Sequence, residues 1–331
     1  MCQHSGSRGT TGTSRWSLSN AEPPRVKMSW QASEAMDRSS DKITVLGAGL
    51  MGHGIAQVAS QVGGFEVSML DVEQRFLDGG MRMINESVAK FVERGKLTKE
   101  QGSDTLRRIH TTLDLAEALN GSSLVIEAAT EDPGLKLDLY RRVSEIIGKD
   151  AILASNTSSI SITSLASVTK KPENVCGMHF FNPPQLMPLV EIIRGRRTSD
   201  ETVRKVRELS TKLGKETVLC KKDSPGFIVN RILVPALNEA VFLVQEGVAD
   251  PEDIDKAIKL GLNWPMGPLQ LLDYVGLDTT FNITQVFMNE FQDSKFRPSP
   301  LLREMVRAGQ LGRKSGKGFY EWGSPGATKT K

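Results

Sequence analysis

From residue 41 onward, short apolar runs rich in β-branched residues alternate with amphipathic stretches. Residues 43–46 (I-T-V-L), 65–70, 123–128, 151–154, 175–181 and 189–193 have strand length and are bounded by polar or glycine-containing turns, so each predicts a β-strand. Helical patterns fill most of the gaps, and strands that alternate with helices predict a mostly parallel sheet with helix-covered faces. Residues 73–109 break this rhythm. They are too long for a simple crossover, highly charged and interrupted at Gly95, which predicts a helical hairpin projecting from the sheet. After K-K-D-S-P-G at residues 221–226 no further strand is expected and helical signals take over. Asp250 reads as an N-cap, Pro251 as a first helical residue, and Glu252 and Asp253 as first-turn acids. Residues 226–244 are apolar nearly all round, broken by Asn230, Arg231, Asn238 and Glu239, and so predict a buried helix rather than a membrane span.

The expected fold is therefore α/β: a doubly wound, mostly parallel sheet with a helical hairpin insertion at residues 41–222, then an all-α domain at 223–322. Residues 1–40, rich in Ser, Gly, Thr and Arg, carry too little apolar surface to fold and are expected to be a disordered extension. A targeting peptide is the alternative there, opposed by Glu22, Glu34 and Asp37. Residues 323–331 are expected to form a loose polar tail.

Composition narrows the function. The 331 residues give room for two domains and a core. A formal charge of +3 is too small to argue for nucleic acid or an acidic membrane as partner. Cys2, Cys176 and Cys220 are widely spaced, which suggests neither a zinc site nor a disulfide framework, and hence no metal and a reducing compartment.

Gly47, Gly49 and Gly52 have the G-x-G-x-x-G spacing, preceded by an apolar run and followed by a helical one. The spacing alone is weak, but this context is the one a dinucleotide site requires. Gly47 permits the tight turn, Gly49 lets a pyrophosphate approach, and Gly52 lets helix and strand pack closely. Free amides at the helix start, in the stretch Gly47, Gly49, Leu50, Met51 and Gly52, would bind the phosphates. Asp71, about 20 residues on, would bond the ribose hydroxyls and favour NAD over NADP, with Arg75 the nearby residue that argues the other way.

Of the four histidines, His179 is the best candidate acid or base. A lone histidine in an apolar strand is more often a satisfied core residue, yet imidazole is the side chain that changes charge near neutral pH. Its neighbours shift the balance. Glu191 holds a comparable place in the next strand, across a turn containing Asn182-Pro183-Pro184, where it can orient the ring. The A-S-N-T-S-S stretch at residues 154–159 ends another strand with hydroxyls and an amide. Ligands of open α/β sheets collect beyond the carboxyl ends of strands, where this stretch and the glycine loop would both lie.

Taken together, G-A-G-L-M-G-H-G-I-A-Q, A-S-N-T-S-S, H-F-F-N-P, D-S-P-G-F-I-V-N-R, W-P-M-G-P, L-L-D-Y-V-G-L-D and G-K-G-F-Y resemble, in order, the motifs of the L-3-hydroxyacyl-CoA dehydrogenase family. The chain looks most like its bacterial 3-hydroxybutyryl-CoA branch, and the resemblance runs from about Lys42 to Tyr320. It implies a Rossmann-type NAD domain, a helical domain that forms a homodimer, an acyl-CoA substrate and a cleft between the domains. By motif, His179 resembles the family's base, Glu191 its partner, Ser158 the serine near substrate hydroxyl and nicotinamide, and Asn230 the asparagine of the first C-terminal helix. Glu131, Lys136, Asn182 and Lys314 resemble cofactor contacts. Ser87 resembles a CoA contact on the hairpin, where Arg94 stands in place of a common lysine.

The implied reaction is reversible NAD-dependent oxidation of a 3-hydroxyacyl-CoA, in a cytoplasmic protein or, if residues 1–40 are a transit peptide, a mitochondrial one. Two other readings share the fold: a dehydrogenase of a free 3-hydroxy acid, and a non-catalytic dinucleotide-binding relative.

Overall fold

The first apolar run becomes strand β1 (Lys42–Leu46), whose last four residues are buried, as suits a strand covered on both faces. Helix α1 (Gly52–Gln61) and strand β2 (Glu66–Leu70) follow, then helices α2 (Gln74–Glu93) and α3 (Lys99–Arg107). These two helices are the expected hairpin. Gly95 turns between them at φ +66°, and α3 restarts from a capping box in which Thr98 and Gln101 satisfy each other's backbone amides.

The chain continues through β3 (Ile109–Thr112), α4 (Leu115–Leu119), β4 (Ser122–Glu127), α5 (Pro133–Ile146), β5 (Ile152–Ser155) and α6 (Ile162–Ser167). Next come β6 (Val175–Phe180), β7 (Leu189–Ile193), α7 (Asp200–Lys212) and β8 (Glu216–Cys220). Among the described residues these eight strands join one sheet of order β3-β2-β1-β4-β5-β6-β7-β8. Only β6 and β7 pair antiparallel; the other neighbours are parallel. The chain runs outward from β1 to β3 and then crosses to β4, so the order reverses between β1 and β4. That is the topological switch point at which such sheets bind ligands.

Two strands were not expected. β3 (I-H-T-T) follows the charged hairpin directly and buries only its first residue, and β8 (E-T-V-L-C) alternates exposed and half-buried residues. Both lie at sheet edges, where a strand has a neighbour on one side only and needs less apolar character. Their stability comes from partners distant in sequence, so local pattern does not reveal them.

The model, a computed structural model, describes residues 42–323; the expected extension at 1–40 and the tail beyond Gly323 lie outside the described residues. After β8 the chain is helical: α8 (Val229–Gln245), α9 (Pro251–Leu262), α10 (Pro268–Val275), α11 (Leu277–Phe291) and α12 (Pro300–Arg307). Their core gathers Leu237, Val241, Leu269, Leu272, Leu277 and Leu302. Helix α8 is not buried all round as expected. It buries Val234, Leu237, Asn238, Ala240 and Val241 on one side, while Ile232 is 70 % exposed. Asp250 does precede α9, but its side chain makes no capping bond.

Residues 319–322 are tied back by two buried acids. Asp273 accepts from the amides of Phe319 and Tyr320 and from the Trp322 indole, and Asp255 accepts from the amides of Leu269 and Gln270 and the Tyr320 hydroxyl. A Cβ on Gly318 would lie 2.0 Å from Asp273 Oδ1, which accounts for the glycine of G-K-G-F-Y. Among the described residues, no helix is long and apolar enough to cross a membrane.

Candidate active site

The antiparallel register of β6 and β7 sets His179 directly opposite Glu191. Opposed residues project to the same face of a sheet, so the side chains meet. His179 Nδ1 lies 2.7 Å from Glu191 Oε2, with the imidazole 8 % exposed and the carboxylate fully buried. A carboxylate at Nδ1 makes that nitrogen the donor and leaves Nε2 free to take or give a proton. The Phe181 and Phe227 rings flank the imidazole, at centroid distances of 4.7 and 5.6 Å.

The other carboxylate oxygen has a second task. Glu191 Oε1 accepts from the amides of Ile228 at 3.1 Å and Val229 at 2.9 Å, at the start of α8. That helix has no side-chain cap of its own. Orphan amides at a helix start favour an anion, and Glu191 supplies it from the sheet. One side chain thus orients the imidazole and seats the helix that carries half-buried Asn230. The turn into α8 is tight: Gly226 has φ +76° and Phe227 φ +51°, and a Cβ on Gly226 would lie 2.1 Å from the Phe287 ring.

At the switch point, Gly47 turns at φ +107°, and a Cβ there would lie 2.6 Å from Ala128 O. A Cβ on Gly52 would lie 1.8 Å from Gly47 O, while one on Gly49 would meet nothing within 4 Å. Gly47 and Gly52 are therefore small because protein crowds them, and Gly49 leaves open space for a ligand. The amides of Gly49, Leu50 and Met51 donate to no protein acceptor among the described residues. Asp71, at the end of β2, accepts from the Ala48 amide through Oδ2 and from the Val72 amide through Oδ1, each at 2.7 Å. Open space, free amides at a helix start and an acid beside them fit a dinucleotide's pyrophosphate and adenosine ribose.

Glu131 gathers the hydroxyl cluster. Its Oε1 accepts from Thr157 Oγ1 at 2.5 Å, from the Ser158 amide at 2.9 Å, and from Ser158 Oγ and Ser159 Oγ at 3.2 and 3.3 Å. Burial opposes its charge, but the Lys136 ammonium and these hydrogen bonds outweigh it and hold the Glu131 carboxyl below the usual range. Lys136 is itself 1 % exposed, with Nζ 2.6 Å from Glu127 Oε1 and 3.1 Å from Glu131 Oε2. Glu127, wholly buried at the end of β4, also accepts from the Ala129 amide and Ser155 Oγ. The sequence reading missed Glu127, while Ser155 belongs to the hydroxyl-rich A-S-N-T-S-S stretch. The available signal was an acid closing an apolar strand, L-V-I-E, a weaker one than Glu191 in the middle of L-V-E-I-I.

Between the hairpin and the 181–188 turn lies a cavity of about 240 Å³, lined among others by Leu50, Ser87, Phe91, Arg94, Asn182 and Leu186. Residues of the glycine loop, the hairpin and the Asn-Pro-Pro turn, far apart in sequence, thus share one cleft. Lys314 pairs with Asp278 of the helical part, with Nζ 2.6 Å from the carboxylate.

An imidazole–carboxylate pair at the carboxyl edge of the sheet that also carries a dinucleotide cradle is the arrangement of an NAD-dependent α/β dehydrogenase. Residues 42–224 match the model of the 3-hydroxyacyl-CoA dehydrogenase NAD binding domain, and residues 226–322 that of the 3-hydroxyacyl-CoA dehydrogenase C-terminal domain. The chain belongs to the 3-hydroxyacyl-CoA dehydrogenase family, and its cofactor is NAD. It is 53 % identical over 281 residues to a probable 3-hydroxybutyryl-CoA dehydrogenase of Deinococcus radiodurans, covering 85 % of this chain and 100 % of that one. It is 43 % identical to the human mitochondrial hydroxyacyl-coenzyme A dehydrogenase over 85 % of this chain and 90 % of that one. The crystal structure of (S)-3-hydroxybutyryl-CoA dehydrogenase from Ralstonia eutropha superposes with a TM-score of 0.82 at 45 % identity, covering 86 % of this chain and 100 % of that one.

Proposed function

We propose that this chain catalyses the reversible oxidation of (S)-3-hydroxybutyryl-CoA and related 3-hydroxyacyl-CoAs to the 3-oxoacyl-CoA. The observation that carries the assignment of roles is the 2.7 Å bond between His179 Nδ1 and Glu191, which leaves Nε2 free. Residues 41–222 act as the cofactor part and 223–322 as the part that completes the substrate cleft.

NAD, when bound, supplies the hydride acceptor. The amides of Gly49, Leu50, Met51 and Gly52 would hold its pyrophosphate and Asp71 its adenosine ribose. The Gly47 amide, expected among them, donates instead to Leu70 O at 2.7 Å, so Gly47 only makes the turn. Glu131, Lys136, Asn182, Ser158 and Lys314 would complete the cofactor's surroundings. His179 Nε2 takes the substrate's hydroxyl proton during oxidation and returns it during reduction. Glu191 stabilises the imidazolium that forms. Ser158 and Asn230 fix the substrate oxygen, and Ser87 faces the CoA end of the cleft beside Arg94. Two copies associate through the helical part, on whose surface Ile228, Ile232, Leu260 and Leu262 stand exposed. The small net charge supports neither a nucleic acid nor a membrane as a further partner. The cytoplasm is the proposed location, or the mitochondrial matrix if residues 1–40 serve as a transit peptide.

The test is NADH consumption with acetoacetyl-CoA and longer 3-oxoacyl-CoAs, run beside NADPH and the free 3-oxo acid. His179→Gln should lower kcat by about 100-fold to 10,000-fold with NADH binding kept. Near-normal turnover in that variant, or preference for the free acid, would reject the assignment.

A further inference from the structure

Lys215 is a charged side chain that the mechanism does not use, yet it is buried, 8 % exposed, at the turn that joins the strands of the His179–Glu191 pair. Its ammonium donates to the carbonyl oxygens of Pro184 at 2.6 Å and Met187 at 2.8 Å. Burial pulls the amine down to about 8. A lysine so desolvated is tolerable where its donors are matched to acceptors, and here both acceptors belong to one turn.

The same turn is tied from its other side. Gln185 Nε2 donates to Gln57 Oε1 at 3.0 Å, and fully buried Gln57, on α1, donates in turn to Gln61 at 2.8 Å. Gly54 of α1 lets the turn approach: a Cβ there would lie 2.9 Å from both Gln185 Oε1 and Pro184 Cδ. Within the turn, the amides of Leu186 and Met187 both return to Pro183 O, at 3.0 Å each. Residues 181–188 therefore rest on two anchors, one at the head of β8 and one on the helix behind the glycine loop. From there Asn182, Pro183, Gln185 and Leu186 line the cavity opposite Ser87 and Arg94, with Leu186 58 % exposed.

We propose that Lys215 and Gln57 are positioning residues that shape the acyl-CoA side of the cleft by pinning the 181–188 turn. The proposal rests on the acyl-CoA reading of that cleft. The Glu216 amide of β8 holds the end of the turn at Pro188 O, 2.9 Å away. Among the described residues, however, the hydrogen bonds that tie residues 182–187 to the rest of the protein are those of Lys215 and Gln57, so without them the surface the turn offers the substrate is no longer held. Small displacements of groups that position a substrate are expensive, with about 1 Å able to cost 100-fold.

Steady-state kinetics with acetoacetyl-CoA and NADH, read beside hydrogen exchange of the 181–189 segment in the free protein, test it. In Lys215→Met and in Gln57→Leu, KM for acetoacetyl-CoA should rise about tenfold, within the range expected of such misplacement. KM for NADH should rise clearly less, since of the proposed cofactor contacts only Asn182 lies in the turn, and kcat should stay within about twofold of wild type, since the imidazole, the carboxylate and the glycine loop are untouched. The Leu186 and Met187 amides should exchange faster while the sheet keeps its protection, and Lys215→Arg, which keeps a charged donor, should recover part of the KM change. Equal rises in both KM values, a fall confined to kcat, or unchanged exchange in the turn would overturn it. If Lys215→Met does not fold, Gln57→Leu decides by the same criteria. A wild type inactive on every acyl-CoA rejects the reading of the reaction; exchange, measured without substrate, then judges the pinning by itself.

Discussion

Glu131 shows how a single ionised group can hold a site together. It fixes Ser158 by both amide and hydroxyl, and its pKa is held below the ordinary 4.5 by Lys136 and its donors against the opposing effect of burial. A carboxyl with a depressed folded pKa adds stability that is present in full above the unfolded value and fades as pH falls through the folded one. The melting temperature of Glu131→Gln should therefore lie below wild type at neutral pH, and the gap should narrow as pH falls below the ordinary carboxylate range and close once the wild-type carboxylate is protonated. A gap that stays constant across that range would show that the charge is not what matters. His179 and Glu191 were legible at this scale because ionisable residues inside apolar strands stand out. Glu127, Gln57 and Lys215 were not: the first ends its strand, the second hides in a helix, and the third sits in a charged stretch, T-K-L-G-K-E.

The decisive elements are β6, β7 and α8. The strand pair was readable from two apolar runs and a Pro-containing turn, and its register brings His179 and Glu191 together. That Glu191 also seats α8 was not readable, because the bond joins residues 37 and 38 positions apart through backbone amides that carry no sequence signature. Hydrogen exchange separates the two tasks. In Glu191→Gln the Ile228 and Val229 amides should lose protection by about tenfold, as expected for loss of a charge-assisted bond. In His179→Gln they should keep it, although both variants lose activity. Equal protection in the two variants would mean that Glu191 serves the imidazole alone. The missed edge strands β3 and β8 make the same point, since each exists through a parallel neighbour rather than its own pattern.

At the scale of the molecule, α8 links the parts: its start is bonded to the sheet, one side enters the helical core, and Ile232 stands on the other. An exposed isoleucine near exposed Ile228 marks the side expected to meet a second copy. Sizing in solution should give about twice the 36.3 kDa of one chain, and Ile232→Asp should shift it toward a monomer. A wild-type monomer would rule out the dimer. By itself the sequence determined the alternation of strands and helices, the hairpin broken at Gly95, the dinucleotide loop and the candidate base, because these are set by local periodicity, by glycines that a turn, close packing or a ligand requires, and by an ionisable residue inside an apolar run. Only the tertiary structure decided how Lys136 is held by Glu127, how Lys215 and Gln57 tie one turn, and how Glu191 divides its two oxygens. Those bonds join residues that are distant along the chain, and their energy depends on burial that exists only once the chain has folded.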